Sequence, residues 1–72
     1  MKRETQRALL LSHLKRRPMN TGEIRELGIG RPSARILDLK EEGHKFREPR
    51  RVRVPTRRGH AWVAEYALES AG

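Results

Sequence analysis

A change in hydrophobic periodicity after Gly43 divides this chain into a helical part and a strand part. Before Gly43, apolar residues recur every three or four positions, the spacing that places side chains on one face of an α-helix. After Gly43 come short segments rich in valine, which are typical of strands. The sequence therefore predicts an α+β fold in which three helices precede a β-hairpin.

The first two helices have recognisable end signals. The first, at residues 4–17, carries cations in its last turn and is stopped by Pro18. The second, at about residues 21–27, follows a capping box. In this box the Asn20 side chain accepts from the Glu23 amide while the Glu23 side chain reaches back to the Asn20 amide.

The third helix also has recognisable start and stop signals. Gly28 ends the second helix, and Pro32 suits the first turn of the next one, which runs to about residue 42 with Gly43 as its stop. The apolar positions that face inward from the three helices form the predicted core: Leu10, Leu14, Ile24, Ile36 and Leu39.

The strand part is predicted to fold as a hairpin. Its strands lie at residues 45–47, 52–55 and 61–68. Pro49 and Pro55 cannot donate to a ladder, so they are expected at strand ends or on an edge, which places the turn at residues 56–59. Gly59 is expected to take a backbone angle that branched residues resist.

Positive charge is concentrated in this hairpin. Seven of the chain's seventeen Lys and Arg residues lie between His44 and His60, where Glu48 is the only acid. A hairpin this basic suits a polyanionic partner, so the sequence predicts a contact surface there. The plain alternative is a charged hairpin that is merely solvated.

Length and composition limit the other possibilities. A chain of 72 residues is expected to form one domain over residues 1–68, with residues 69–72 as a flexible end. The absence of cysteine excludes disulfides and thiolate metal sites and fits a reducing cytoplasm. The longest apolar run, residues 8–11, is far shorter than the roughly twenty residues of a membrane span. We therefore expect a cytoplasmic protein with no membrane partner.

Neither a metal, a cofactor nor an enzymatic activity is expected. The three histidines are scattered without metal-ligand spacing. Asp38, Glu41 and Glu42 form an acidic group, but no nucleophile or phosphate-binding loop accompanies them. Trp62 and Tyr66 could stack on bases, but in a chain with so few aromatic residues we expect them in the core beneath the hairpin.

Motifs within residues 5–46 resemble a family of small helix–turn–helix proteins common in bacteriophages and prophages. The matching positions are Thr5-Gln6, Asn20-Thr21, Leu27-Gly28-Ile29, Arg35-Ile36, Leu39 and Gly43. The following Arg-Arg-Gly hairpin, which ends in Tyr-Ala-Leu, resembles the wing of that family. Asn20 stands where threonine is usual, and it preserves the capping chemistry. The resemblance implies a winged helix–turn–helix and, through it, DNA binding.

In such a fold, side chains near the start of the third helix read base edges in the major groove. The candidates are Gly30, Arg31, Ser33, Ala34 and Arg35. Arg31 suits a guanine edge or a phosphate, Ser33 a phosphate or a base, and Ala34 a thymine methyl group. Arg35 could contact DNA or pair with an acid beside the core. Acids in the far half of this helix would repel phosphate, which limits contact to its first turn or two.

The wing is expected to supply most of the affinity by contacting phosphates. The residues expected to do so are Arg50, Arg51, Arg53, Arg57 and Arg58. Arg57 or Arg58 could also enter a narrow minor groove.

These expectations favour a protein that binds double-stranded DNA with full or partial sequence specificity, as a phage or prophage transcription regulator. One alternative is an adaptor or inhibitor that presents its basic wing to an acidic or RNA-laden protein. Another is an excisionase-like accessory recombination protein. A homodimer on a two-part site is also expected, because one short helix specifies few base pairs and because Leu9 and Leu37 lie off the core stripes. Leu37 could instead face DNA.

Overall fold

The computed structural model describes residues 2–69, which form three helices and a three-stranded antiparallel sheet. In chain order the elements are α1 (Arg3–Leu14), β1 (Met19–Asn20), α2 (Thr21–Glu26), α3 (Pro32–Glu41), β2 (Arg50–Thr56) and β3 (Gly59–Tyr66). The predicted α+β class, with helices before a hairpin, is confirmed. The sheet order is β1-β3-β2, so β3 is central and β2, which contains Pro55, is an edge strand as expected.

The strand β1 was not predicted. It pairs antiparallel with the end of β3, with Met19 opposite Tyr66 and Asn20 opposite Glu65. A strand of two residues is too short to show alternation, so its sequence carries no strand signal. Its effect on the fold is large, because it joins the helical layer to the hairpin.

The buried core contains all five predicted residues and two more. Its members are Leu10, Leu14, Met19, Ile24, Ile29, Ile36 and Leu39. Met19 is buried because β1 holds it in the sheet, and Ile29 because the α2–α3 turn folds inward over the core. Neither position belongs to a helical stripe, which is why periodicity did not indicate them.

The first helix begins one residue earlier than predicted, at Arg3, and ends three residues earlier. It ends at Leu14, and the amides of Arg16 and Arg17 donate to the His13 carbonyl in a turn. The residue before a proline avoids the helical region, so Pro18 disfavours a helical Arg17. The chain also has to extend at once to place the next residue in β1.

The hairpin turn lies where it was predicted. Thr56 and Gly59 are paired, the turn residues between them are Arg57 and Arg58, and Gly59 has a φ of 126°. The ladder is longer than expected on the β2 side, and β3 covers 59–66 rather than 61–68. The predicted strand at 45–47 is reduced to a single bridge between Phe46 and Leu68.

Of the flexible end expected at residues 69–72, residues 70–72 lie outside the described residues. The Glu69 amide donates to the Lys45 carbonyl at 2.8 Å.

The ends of α2 and α3 follow their sequence signals. The Asn20 side chain accepts from the Glu23 amide at 2.9 Å, and the Glu23 carboxylate accepts from the Asn20 amide at 3.0 Å. At the end of α3, Gly43 has a φ of 101°, and the His44 amide donates to the Leu39 carbonyl, which completes a Schellman motif.

The capping box predicts a pH dependence of stability. The hydrogen bond from the Asn20 amide, helped by the nearby Arg17 guanidinium, holds the pKa of Glu23 below its ordinary value of 4.5. The carboxylate therefore stabilises the fold above the ordinary pKa, and this contribution is lost as pH falls through the lowered folded-state pKa. Glu23→Gln keeps an acceptor for the Asn20 amide but does not titrate. We expect urea unfolding to show wild type more stable than Glu23→Gln at about pH 7, with the gap closing in acid. A gap that is independent of pH would contradict this role.

Two adjacent residues of α3 allow a test of the packing. Ile36 is 2% exposed and Leu37 is 55% exposed. We expect Ile36→Ala to lower the free energy of unfolding by about 2–5 kcal/mol, and Leu37→Ala to change it by less than about 0.5 kcal/mol. Chemical denaturation of both variants measures the difference. Equal losses would mean that α3 packs with a different side facing the core.

Candidate nucleic-acid interface

The turn between α2 and α3 anchors the start of α3 to the core. Leu27 caps α2, Gly28 leaves it with a φ of 91°, and Ile29 is fully buried. The next helix starts at Pro32, whose fixed φ suits the first helical position and whose ring is buried. Because the turn and the first helical residue are both held from the inside, the outer side of α3 is presented to solvent at its N-terminus.

The outer side of α3 carries several of the predicted reading residues. Arg31, at the N-cap, and Ser33 are exposed, and Ala34 is half-buried. Leu37 continues the same side one turn further along and is more than half exposed. The start of this surface therefore combines a cation, a hydroxyl group and apolar side chains.

Arg35 faces the other way. Its side chain is 13% exposed, and its Nε lies 3.0 Å from Oδ2 of Asp38. Its N–H is not aligned for a hydrogen bond, so the attraction is an ion pair; Arg3 Nε donates the hydrogen bond to the same oxygen at 3.3 Å. Of the two roles predicted for Arg35, the structure shows the ion pair with an acid, Asp38. Contact between Arg35 and DNA stays a prediction.

The acids in the far half of α3 repel an anionic partner less strongly than three unpaired carboxylates would. Asp38 is buried and has arginines on two sides, and Glu42 lies 3.7 Å from Nε of Arg7. The remaining acid of the far half, Glu41, is exposed at the end of the helix. The expectation that only the first turn or two can approach a duplex was based on three free acids, and two of them are paired with cations of α1 or α3.

The strand register determines on which face of the sheet, or at which end of the hairpin, each arginine lies. Arg51 and Arg53 share a sheet face with Trp62, because Arg53 lies directly opposite Trp62 and successive side chains alternate. Arg50 is on the other face, 3.7 Å from the Glu65 carboxylate. Arg57 and Arg58 form the tip. All the predicted wing arginines are exposed.

The prediction that Trp62 lies in the core is wrong. Its side chain is 60% exposed, and the Arg51 guanidinium lies 5.8 Å from its ring centroid. Tyr66, on the same face of β3, does pack against the core as expected. The hairpin extends beyond the helices, so only the end of β3 near β1 reaches the buried residues. A register drawn from the predicted turn would have placed Trp62 opposite Arg53.

The structure thus places the predicted site residues on two surfaces. The outer side of α3 carries Arg31, Ser33 and Ala34, and the hairpin carries Arg50, Arg51, Arg53, Arg57 and Arg58. The predicted site did not include Trp62 or His60, and Leu37 was considered for DNA contact only as an alternative to a dimer contact. His60 Nδ1 lies 3.3 Å from Nη2 of Arg53, so the imidazole ring lies beside the arginine face.

Among residues 2–69, no cluster of three or more His, Cys, Asp or Glu side chains could hold a metal ion. None of the described helices is long and apolar enough to span a membrane.

A short helix, a tight turn and a second helix with an exposed outer side, followed by a basic hairpin, define the winged helix–turn–helix class of DNA-binding domains. The family described as "Winged helix-turn-helix domain" matches residues 5–71, and the chain belongs to this family. Such domains typically bind DNA and are not catalytic. No curated protein and no solved structure matches the chain.

Proposed function

We propose that this protein is a sequence-specific regulator of transcription of the phage or prophage type, acting on double-stranded DNA in the bacterial cytoplasm. The observation that carries the proposal is the exposure of every wing arginine, beside a third helix in which Asp38 and Glu42 lie close to arginines. A surface of this kind attracts phosphate over its whole length. The family membership supports the choice of DNA as the polyanion.

The two surfaces have different roles in this proposal. The outer side of α3 enters the major groove, where Arg31 contacts a guanine edge or phosphate, Ser33 a phosphate or base, and Ala34 a thymine methyl group. The wing arginines neutralise phosphates, and Arg57 or Arg58 at the tip enters the adjacent minor groove. Arg35 acts mainly through Asp38, by fixing the orientation of α3.

The wing also contains a built-in reporter. Trp62 is the single tryptophan of the chain, it is exposed, and it lies directly opposite Arg53. Its fluorescence should change when a duplex covers the arginine face of the hairpin. Binding can therefore be followed without labelling the protein.

Two other functions would use the same surfaces. An excisionase-like recombination protein would also bind duplex DNA, and the position of its sites relative to recombination ends or to promoters separates it from a regulator. An adaptor or inhibitor would bind an acidic or RNA-laden protein in preference to a duplex. Competition between duplex DNA and an acidic protein separates the adaptor from the other two functions.

The number of copies on each site is a separate question. The expected homodimer on a two-part site rested on Leu9 and Leu37; Leu9 is half-buried, and Leu37 lies on the side of α3 proposed for DNA. The case for a dimer therefore rests chiefly on the small number of base pairs that one short helix specifies. Sedimentation of the complex gives the stoichiometry.

The role of the wing predicts a dependence on salt. If about five phosphates are neutralised, log K should fall against log salt with a slope of about −4 to −5. Reversing the charge of Arg57 and Arg58 should weaken binding to all sequences and flatten the slope by about two units. Reversing the exposed Lys15 and Arg16, at the end of α1, changes the net charge equally and serves as the control. Salt titrations in which wild type and the wing variant have the same slope would remove the wing from the mechanism. Equal flattening by the control would assign the effect to overall charge.

A further inference from the structure

Leu37 lies near the centre of the solvent-facing side of α3. At about 100° per residue, Ser33 lies one turn before it, Ala34 and Lys40 flank it, and Glu41 follows one turn later. The buried positions Pro32, Ile36 and Leu39 are on the opposite side. The most outward position of the helix is therefore a leucine that is 55% exposed.

Folding does not account for this leucine. Leu37 is neither in the buried core nor among the partly buried apolar residues packed against it. An apolar side chain left in water contributes little to stability, whereas it gains free energy when a partner covers it. Leu37 is thus available for contact at the centre of the proposed reading surface.

The surroundings of Leu37 favour DNA as that partner. Its neighbour Asp38 points into the protein, where Arg3 and Arg35 neutralise it, so the acid does not border the outer side. Arg31 lies six residues before Leu37, about 9 Å along the helix axis, which spans between two and three base-pair steps. A cation at the start of α3 and an uncharged strip behind it can therefore meet neighbouring base pairs in one groove.

We propose that Ala34 and Leu37 form an apolar strip that reads the 5-methyl groups of thymine, so that the bound site contains thymine at one or two positions facing α3. This inference rests on the proposed function. The 5-methyl group of thymine is the apolar feature of the major groove, and the other base edges present donors and acceptors there. A leucine can satisfy neither donors nor acceptors, so a cytosine amino group facing it would lose its hydrogen bonds to water.

Replacing thymine by uracil tests the inference, because it removes the methyl group and leaves the hydrogen-bonding edge unchanged. Duplexes selected by the wild-type protein from a random pool supply the site, and thymines are then replaced one at a time. We expect replacement at one or two positions to weaken binding of the wild type about three- to tenfold. For Leu37→Ala we expect at least one of these replacements to change the Kd by less than about twofold, while a position read by Ala34 stays sensitive and the salt slope is unchanged.

Leu9→Ala is the matched control, since Leu9 lies on α1 and, like Leu37, is neither in the buried core nor among the partly buried residues packed against it. It should retain the full preference for thymine over uracil. The exposure of Leu37 means that its alanine variant should fold, and circular dichroism of both variants checks this.

Each alternative result has a distinct meaning. If duplex binding is strong but no thymine can be distinguished from uracil, the methyl-reading strip is overturned and the proposed function stands. If Leu37→Ala keeps the full preference at every sensitive position, another residue reads the methyl groups, and the assignment to Leu37 is overturned. If the wild type binds no duplex, the proposed function fails and the inference fails with it.

Discussion

The orientation of α3 depends on one buried carboxylate. Asp38 accepts a hydrogen bond from Arg3 at the start of α1 and lies 3.0 Å from Nε of Arg35 in its own helix. An unpaired buried carboxylate is strongly unfavourable, so Asp38 is compatible with the fold only while both arginines stay in place. This contact joins the two longest helices and, together with the buried Pro32, Ile36 and Leu39, fixes which side of α3 faces outward. It also explains why Arg35 is turned inward and why Asp38 does not lie on the outer side of the helix.

Ion pairs between arginines and acids also affect where unpaired positive charge lies on the surface. Arginines of α1 and of the segment that follows it lie close to acids: Arg3 to Asp38, Arg7 to Glu42, and Arg17 to Glu23. In the hairpin, the ion pair that the structure shows is the long contact between Arg50 and Glu65. The formal net charge of +8 is therefore expressed mainly by the wing. Exposed pairs of this type add little stability, so their main consequence is the distribution of charge.

Local chemistry allowed much of this fold to be predicted. The capping box at Asn20, the first-turn Pro32, and the glycines at 28, 43 and 59 each determine a backbone conformation by themselves, and the structure has an element boundary at every one of them. The helical stripes likewise identified the core residues of α1, α2 and α3. Features that depend on distant partners were missed: Met19 is buried because it pairs with Tyr66, and Trp62 is exposed because the hairpin extends beyond the helices. The local sequence pattern of either segment does not predict those contacts.

The candidate site was predictable in its charge and less so in its geometry. The arginines of the wing could be identified from composition, because arginine side chains are rarely buried and a short hairpin exposes them. The exposure of Leu37 likewise followed from its position off the core stripe. The direction of Arg35 could not be predicted, since it depends on how α3 packs against α1.

The central claim is that α3 and the wing bind the same DNA duplex at the same time. Amide chemical shifts of the ¹⁵N-labelled protein, followed by NMR while a selected duplex is added, test it most directly. We predict perturbations in two groups, at residues 31–37 and at residues 50–62, with the solvent-facing residues of α1 little changed. Perturbations limited to the hairpin, with residues 31–37 unaffected, would contradict the account, because they would show a basic wing that attracts DNA without a helix that reads it.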